Sequence, residues 1–236
     1  MALTFLYADP HYLHSNIMKF CGRTIFMTPE EKYIYLFLKE KGCKFCFNHF
    51  RLSKESVIKQ TEMLVYNWNA RVRPEDTTII NGDFAFTNSK GGKEGEGLPI
   101  HPQTILDRLN GNKVMIRGNH DRSNKLRPII DSMVIKTASK VMYVVHDPRK
   151  IDFRYEINLT GHVHEKWAFA RIDKRLGVGA FGEYKINQTK ERPDGVNITD
   201  CINVGVDVNK FCPRTINELL GGYMKWKKEY ESKEII

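Results

Sequence analysis

Apolar positions along the chain follow two rhythms. Short β-rich runs alternate with helical patterns, and five of the runs stop at a polar residue able to hold a metal. "LTFLYAD" ends at Asp9, "TTIINGD" at Asp83, "KVMIRGN" at Asn119, "KVMYVVH" at His146, and "INLTGHVH" at His162 and His164. Between them lie three helical patterns. One is "SKESVIKQTEMLVYNWNARV", with Ser53 as N-cap and Ser56 as a rival, another is "HPQTILDRL", with Pro102 near the first helical position, and the last is "CPRTINELLGGYMKWKKEYES". Strands alternating with helices predict an α/β architecture whose sites gather at the C-terminal ends of the strands.

Composition narrows the class without choosing a function. With 236 residues and 41% hydrophobic content, the chain predicts one enzyme-sized domain, 1–236. No apolar run is long enough to span a bilayer, and "MALTFLYADPHYLHS" lacks the basic start of a leader, so a cytoplasmic protein with no membrane partner is expected. The five scattered cysteines, Cys21, Cys43, Cys46, Cys201 and Cys212, do not form a secreted framework, and reduced thiols are expected. A net charge of +9 favours anionic partners, nucleic acid among them. The excess is concentrated in residues 29–60 and 166–192, although a solvated basic face is the commoner origin of such runs.

The strand ends change the picture. In an extended segment alternate side chains point the same way, so Asp9 and His11 would project together, as would His162 and His164, and each pair could grip one metal. Either pair alone is commonplace. Acidic, amide and imidazole groups at five successive strand ends are not readily explained by packing, because such groups are costly to bury without partners. The segment "IRGNHDR" adds chemistry. Asn119 offers a neutral amide oxygen that limits repulsion in a carboxylate-rich centre. His120 follows immediately and points the other way in an extended backbone, with Asp121 beside it. As a plain turn, the same segment would set Gly118 at positive φ and use Asn119 as a helix cap.

Taken in order, "DPH" (9–11), "GD" (82–83), "GNHD" (118–121), His146 and "GHVH" (161–164) make the sequence similar to the calcineurin-like metallophosphoesterases. It also resembles a small stand-alone branch from bacteria and phages, through "DPHYLHSNIMKFCGR", "NWNARVRPEDTTIINGDFAF" and "INVGVDVNKFCP". The resemblance implies a four-layer α/β/β/α sandwich of two facing mixed sheets flanked by helices. It implies Asp9, His11 and His164 on one divalent metal ion, Asn119, His146 and His162 on a second, and Asp83 bridging, with His120 placed to protonate the leaving group and Asp121 to orient that imidazole or hold its proton. Mixed N and O donors suit Mn, Fe, Ni or Zn, with Mn the first choice. Two such ions about 3.5 to 4 Å apart share a hydroxide and clamp a phosphoryl group for in-line attack. The implied activity is hydrolysis of a phosphoester, a phosphodiester ahead of a monoester. A nuclease acting on DNA or RNA, and a noncatalytic scaffold that keeps the fold, are the alternatives.

Some features lie outside the shared pattern. Residues 29–60 read as an insertion and 167–199 as an enlarged segment, and substrate choice is expected to reside there. Tyr12 and Leu13 stand where the branch resembles Phe-Gly, and "GDFAF" lacks the form of protein Ser/Thr phosphatases. His14, Asn16 and Arg23 are candidates either for the mouth of the site or for loop hydrogen bonds, and Arg117 for a substrate phosphate or a structural ion pair. Cys43, Cys46 and His49 have the spacing to begin a zinc site, without an evident fourth ligand. Phe45, Phe47 and Phe50 beside Lys44 and Arg51 could stack on bases or simply pack the insertion. The sequence carries no signal for oligomeric state.

Overall fold

The computed structural model describes residues 1–87, 97–121, 125–173, 195 and 197–233. Two mixed sheets flanked by helices organise them, as the sequence predicts. In the first sheet β1 (Thr4–Tyr7), β2 (Thr77–Asn81) and β3 (Asn112–Ile116) run parallel, and the short β9 (Arg214–Thr215) pairs antiparallel with β1. The second sheet has the order β4-β5-β6-β8-β7. Its central strands β5 (Val141–Val145), β6 (Ile157–Thr160) and β8 (Ile198–Asn203) are parallel. Its edges β4 (Ser132–Lys136) and β7 (Phe169–Asp173) are antiparallel to their neighbours. The five strands read from the sequence are thus the parallel ones, apart from β8.

Period-two alternation decides which core each side chain enters. Phe5 and Tyr7 of β1 face α1 (Ser15–Phe20), α4 (Lys54–Asn69) and α5 (Pro102–Leu106), where Tyr7 meets Trp68 edge-on at 5.0 Å. Leu6 and Ala8 face the other way, into a second core with Ile79, Ile116, Met142, Val144, Ile157, Leu159 and Ile202. That core lies between the sheets. Helix α6 (Ile216–Lys233) adds Leu219 and Tyr223 to it, and the Tyr223 hydroxyl donates to Asp200 at 2.7 Å. The outer face of the second sheet packs Cys201 and Ile172 against Ile151 and Phe153.

One buried amide stitches the sheets together at their C-terminal edges. Asn81, at the end of β2, donates to the carbonyls of Val145 (3.1 Å) and Leu159 (3.3 Å), near the ends of β5 and β6. Asn81 is fully buried, so its amide hydrogens depend on these carbonyls in a dry interface. The loops that leave the strand ends therefore emerge into one place.

Residues 29–60 form two helices and the start of a third. Helix α2 (Pro29–Lys41) begins at Thr28, whose side chain accepts from the Glu31 amide while Glu31 accepts from the Thr28 amide at 3.0 Å. Glu31 also accepts from the Ser53 amide and the Ser56 hydroxyl, which ties α2 to the start of α4. Ser53 caps α4 as predicted. Helix α3 (Lys44–His49) overturns the expectation of reduced thiols at two of the five cysteines, while Cys21, Cys201 and Cys212 are free as expected. Its N-cap and third residue, Cys43 and Cys46, are one turn apart with a Cα separation of 5.4 Å, within disulfide reach, and they are paired. The His49 ring bonds the Phe45 carbonyl, and none of the metal-capable groups among the described residues includes these three side chains. The enlarged segment 167–199 is described only at β7 and near β8, and the remainder of that expectation lies outside the described residues.

Glu31 makes a stability prediction. Burial raises its pKa, but the hydrogen bonds from Ser56, Ser53 and Thr28 outweigh that and hold it below the usual glutamate range. Its contribution is therefore present above the unfolded pKa and is lost as pH falls through the folded one. Urea unfolding of Glu31→Ala should show a loss of about 1 to 3 kcal/mol at neutral pH, and the gap to the unmodified chain should narrow in acid.

Candidate metal centre

The candidate ligands sit on the loops just past the strands, in a backbone conformation that the alternation argument does not describe. Asp9 (φ 56°), His11 (47°), Asp83 (52°), His162 (72°) and His164 (51°) are all left-handed. The side chains converge because the chain turns sharply at each one, not because it stays extended. Each such residue costs on the order of 1 kcal/mol, and it is kept in place by hydrogen bonds to the neighbouring loop. The Asp9 amide donates to Gly82, the His11 amide to Asp83, and the His162 amide to the Asp9 carboxylate at 2.8 Å.

Glycines make this close packing geometrically feasible. A Cβ on Gly118 would stand 2.1 Å from the Asp83 carboxylate, and one on Gly161 would stand 2.5 Å from that of Asp9. Gly118 is not among the positive-φ glycines, so it serves close approach and not the left-handed turn.

Among the described residues three groups of donors result. Asp9, His11 and His164 form one and Asp83, His146 and His162 another, while Cys21 and Asp207 form a third around the same His164, with the donor atoms of each within 4.8 Å of one another. Asp83 reaches both of the first two, because its Oδ2 lies 3.5 Å from His11 Nε2 and 3.4 Å from His146 Nε2. The Asn119 amide oxygen sits 3.1 Å from His146 Nε2 and 2.9 Å from His162 Nδ1. All seven predicted ligands are thereby brought together. Asp9 Oδ1 and both ring nitrogens of His11 are buried without a hydrogen-bond partner. Buried polar atoms left in that state are costly, and a divalent cation is the partner that suits mixed carboxylate, imidazole and amide donors.

Surrounding groups fix the rings. His146 Nδ1 donates to the Asn81 carbonyl at 2.8 Å, which turns Nε2 toward the cluster. Burial alone would lower the His146 pKa, yet the Asp9 and Asp83 carboxylates hold it up at about 10. Asp207 does the same job for His164. Its Oδ2 accepts from His164 Nδ1 at 3.0 Å, and both its oxygens accept from Arg23, at 2.7 and 2.8 Å. Against the upward push of burial, Arg23 and His164 hold Asp207 at about 2. Asn203 donates to the His164 carbonyl at 2.8 Å.

Asp207 and Asn203 are absent from the ligand pattern read in the sequence. The signal that points to them is "NVGVD", another β-run ending in polar residues.

The other predicted residues divide by position. His120 donates its amide to Asp83 Oδ1 at 2.8 Å, and its ring lies 5.3 Å from that of His11, inside a cleft of about 340 Å³ shared with Asp83, His162 and His164. Asp121 accepts from the amides of Asp83, Phe84 and Gly118, so its carboxylate clamps two of the ligand loops. His14 lines the cleft, stacked on Phe86 at 4.3 Å, and burial pushes its pKa down to about 3. Asn16 is half-buried on α1. Arg23 is buried behind the ligands and donates to the carbonyls of Asp9 and Pro10, so it braces the loop and does not line the mouth. Arg117 donates to the carbonyls of Pro128 and Ile129 and lines a second cavity, on the Asn119 and His146 side.

No protein-family model matches the chain. Over 217 residues it is 24% identical to an uncharacterized protein of Methanocaldococcus jannaschii, covering 92% of this chain and 89% of that one. The crystal structure of a protein of unknown function from Aquifex aeolicus superposes with a TM-score of 0.51 at 18% identity, over 93% of this chain and 98% of the other. The two share the fold. A phosphoesterase from E. coli aligns with 68% of this chain and 69% of its own, at 12% identity and a TM-score of 0.27.

Because Asp207 orients His164 without being one of the seven predicted ligands, its replacement should act on affinity. Asp207→Asn is expected to weaken metal binding about 10- to 100-fold while the circular-dichroism spectrum is kept. Titration of the metal-free protein with Mn²⁺, followed calorimetrically, checks it.

Proposed function

We propose that the chain is a metal-dependent phosphoesterase that hydrolyses phosphodiesters and extends to phosphomonoesters. The observation that carries this reading is the convergence of Asp9, His11 and Asp83 with His146, His162, His164 and Asn119 around unpartnered buried donor atoms. Asp9, His11 and His164 would hold one divalent ion, Asn119, His146 and His162 the other, and Asp83 both. Such a pair polarises the phosphoryl oxygens and lowers the pKa of an attacking water. Mn²⁺ is the proposed ion.

The chain's own residues do the rest. His120 lines the same cleft without belonging to either donor cluster, which suits it to give a proton to the departing oxygen. Its amide bond to Asp83 couples its position to the bridging carboxylate. Asp121 fixes Gly118 and Asp83 relative to one another, and so sets the spacing between acid and ligands. A scaffold that merely keeps the fold would have no use for this arrangement. Metal analysis with a p-nitrophenyl phosphodiester assay separates the two.

Two substitutions test the assignments. Asp83→Asn should abolish turnover and lose at least one metal per chain, as measured by plasma mass spectrometry. Unchanged turnover with two metals retained would sink the bridging role. His120→Asn should keep its metals and lose roughly 10² to 10⁴ in rate on an alkyl or nucleoside ester. The loss on a nitrophenyl ester should be far smaller, because nitrophenolate departs unaided. Equal losses on both esters would move His120 from proton donor to phosphate positioning.

A further inference from the structure

Two openings flank the donor cluster. On one side His11, Asp83, His162 and His164 face the cleft that also holds His14, Phe20 and Lys166. On the other, Asn119 and His146 face a cavity of about 320 Å³ lined by Arg117, Arg149 and Lys150. A phosphomonoester needs room on one side only. A diester has an arm on each.

The arms of this site are chemically distinct. Phe20, 60% exposed at the end of α1, lines both the cleft and an adjoining groove of about 470 Å³ between α1, α2 and α3. That groove is walled by the aromatic rings of Phe20, Tyr35 and Phe47 and bordered by Lys19, Lys39 and Lys44. Ammonium and ring alternate within it: Lys19 lies 5.9 Å from the Phe20 ring and 5.7 Å from that of Phe47, and Lys39 lies 5.8 Å from that of Tyr35. Among the described residues no Phe, Tyr or Trp lines the far cavity, which sets three cations against two carboxylates, with Asp147 engaging Arg149 at 2.9 Å and Asp131 engaging Arg117 at 3.5 Å. Glu165 is an acidic group at the lip of the cleft.

We propose that the groove, the cleft and the far cavity form a continuous track for single-stranded nucleic acid, with a base against Phe20 and the backbone carried past the donor cluster to the Arg117, Arg149 and Lys150 wall. This rests on the phosphoesterase reading and names its substrate class. The exposed Phe20 ring offers a stacking face to an unpaired base, which a duplex keeps inside its own stack, and the exposed Lys39 and Lys44 offer counter-charge to successive phosphates, whereas Lys19 is committed to the Phe47 and Phe50 carbonyls and Tyr35 is buried. The net charge of +9 acts in the same sense. An acyl chain would use the rings but has no need of cations on both sides of the scissile group.

Fluorescence anisotropy of a fluorescein-labelled oligothymidylate on the full chain, in EDTA so that nothing is cleaved, tests the track apart from activity. Affinity should fall roughly 50-fold over a fourfold rise in salt, the dependence of about four phosphate contacts on a single strand. Phe20→Ala, at an exposed position that the fold does not need, should weaken binding about 5- to 100-fold. The double variant Lys39→Glu/Lys44→Glu should weaken it about tenfold or more and flatten the salt dependence. Binding that is absent, independent of salt or indifferent to these changes overturns the proposal. So does displacement of the strand by short-chain phosphatidylglycerol but not by unlabelled oligonucleotide, which would assign the groove to acyl chains. Hydrolysis of bis-p-nitrophenyl phosphate by the unmodified protein with Mn²⁺ distinguishes the two levels. If it persists while the strand fails to bind, only the track falls. If it is absent, the phosphoesterase reading falls and takes the scissile position with it.

Discussion

Two carboxylates buried side by side set the terms for everything around them. Asp9 and Asp83 are both almost wholly removed from water, burial raises the cost of ionising each, and the Asp83 charge adds to that cost at Asp9. Imidazoles and backbone amides make the pair tolerable. His146 stands between them, the His162 amide bonds Asp9 and the His120 amide bonds Asp83. To deliver those partners, five loops must cross within a few ångströms. This accounts for the left-handed residues, for the glycines with no room for a side chain, and for Asn81 holding the two sheets in register behind them.

Two of the imidazoles are held from behind. His146 and His164 have their second ring nitrogens committed, to the Asn81 carbonyl and to Asp207, so each presents a defined face to the cluster. Arg23 completes the second of these by bonding Asp207 together with the Asp9 and Pro10 carbonyls, which locks the brace of one candidate ligand to the backbone of another. The cleft on the other side is lined by His14 and His120 and opens toward Phe20 and the helices formed by residues 29–60.

Much of the site is legible in the sequence because polar residues at the ends of apolar runs stand out against the cost of burying them. Asp9, Asp83, Asn119, His146, His162 and His164 all stand out in that way, and Ser53 and Pro102 mark their helix starts correctly. The left-handed loops are not legible, since period-two alternation describes a strand and is silent on the turn beyond its last residue. Asp207 escapes because its role depends on a partner 43 positions earlier and another 184 positions earlier, and no local pattern records such distances. Arg23 resembles a substrate contact because a lone arginine near a ligand motif cannot be told in sequence from one already bonded on all sides. The Cys43–Cys46 pairing is hidden when cysteine spacing is judged by compartment, whereas one helical turn is enough to bring the two residues within reach.

The span between Arg23 and Asp207 has a consequence for how the site is assembled. Asp9, His11 and Arg23 lie close together in sequence, but the carboxylate that engages Arg23 lies 184 positions further on, past β8. The first cluster is therefore complete only when the two sheets have docked, because Asp9 and His11 follow a strand of one sheet and His164 follows a strand of the other. A cation held there would add its binding free energy to that of docking, so its removal would loosen the contact between the sheets.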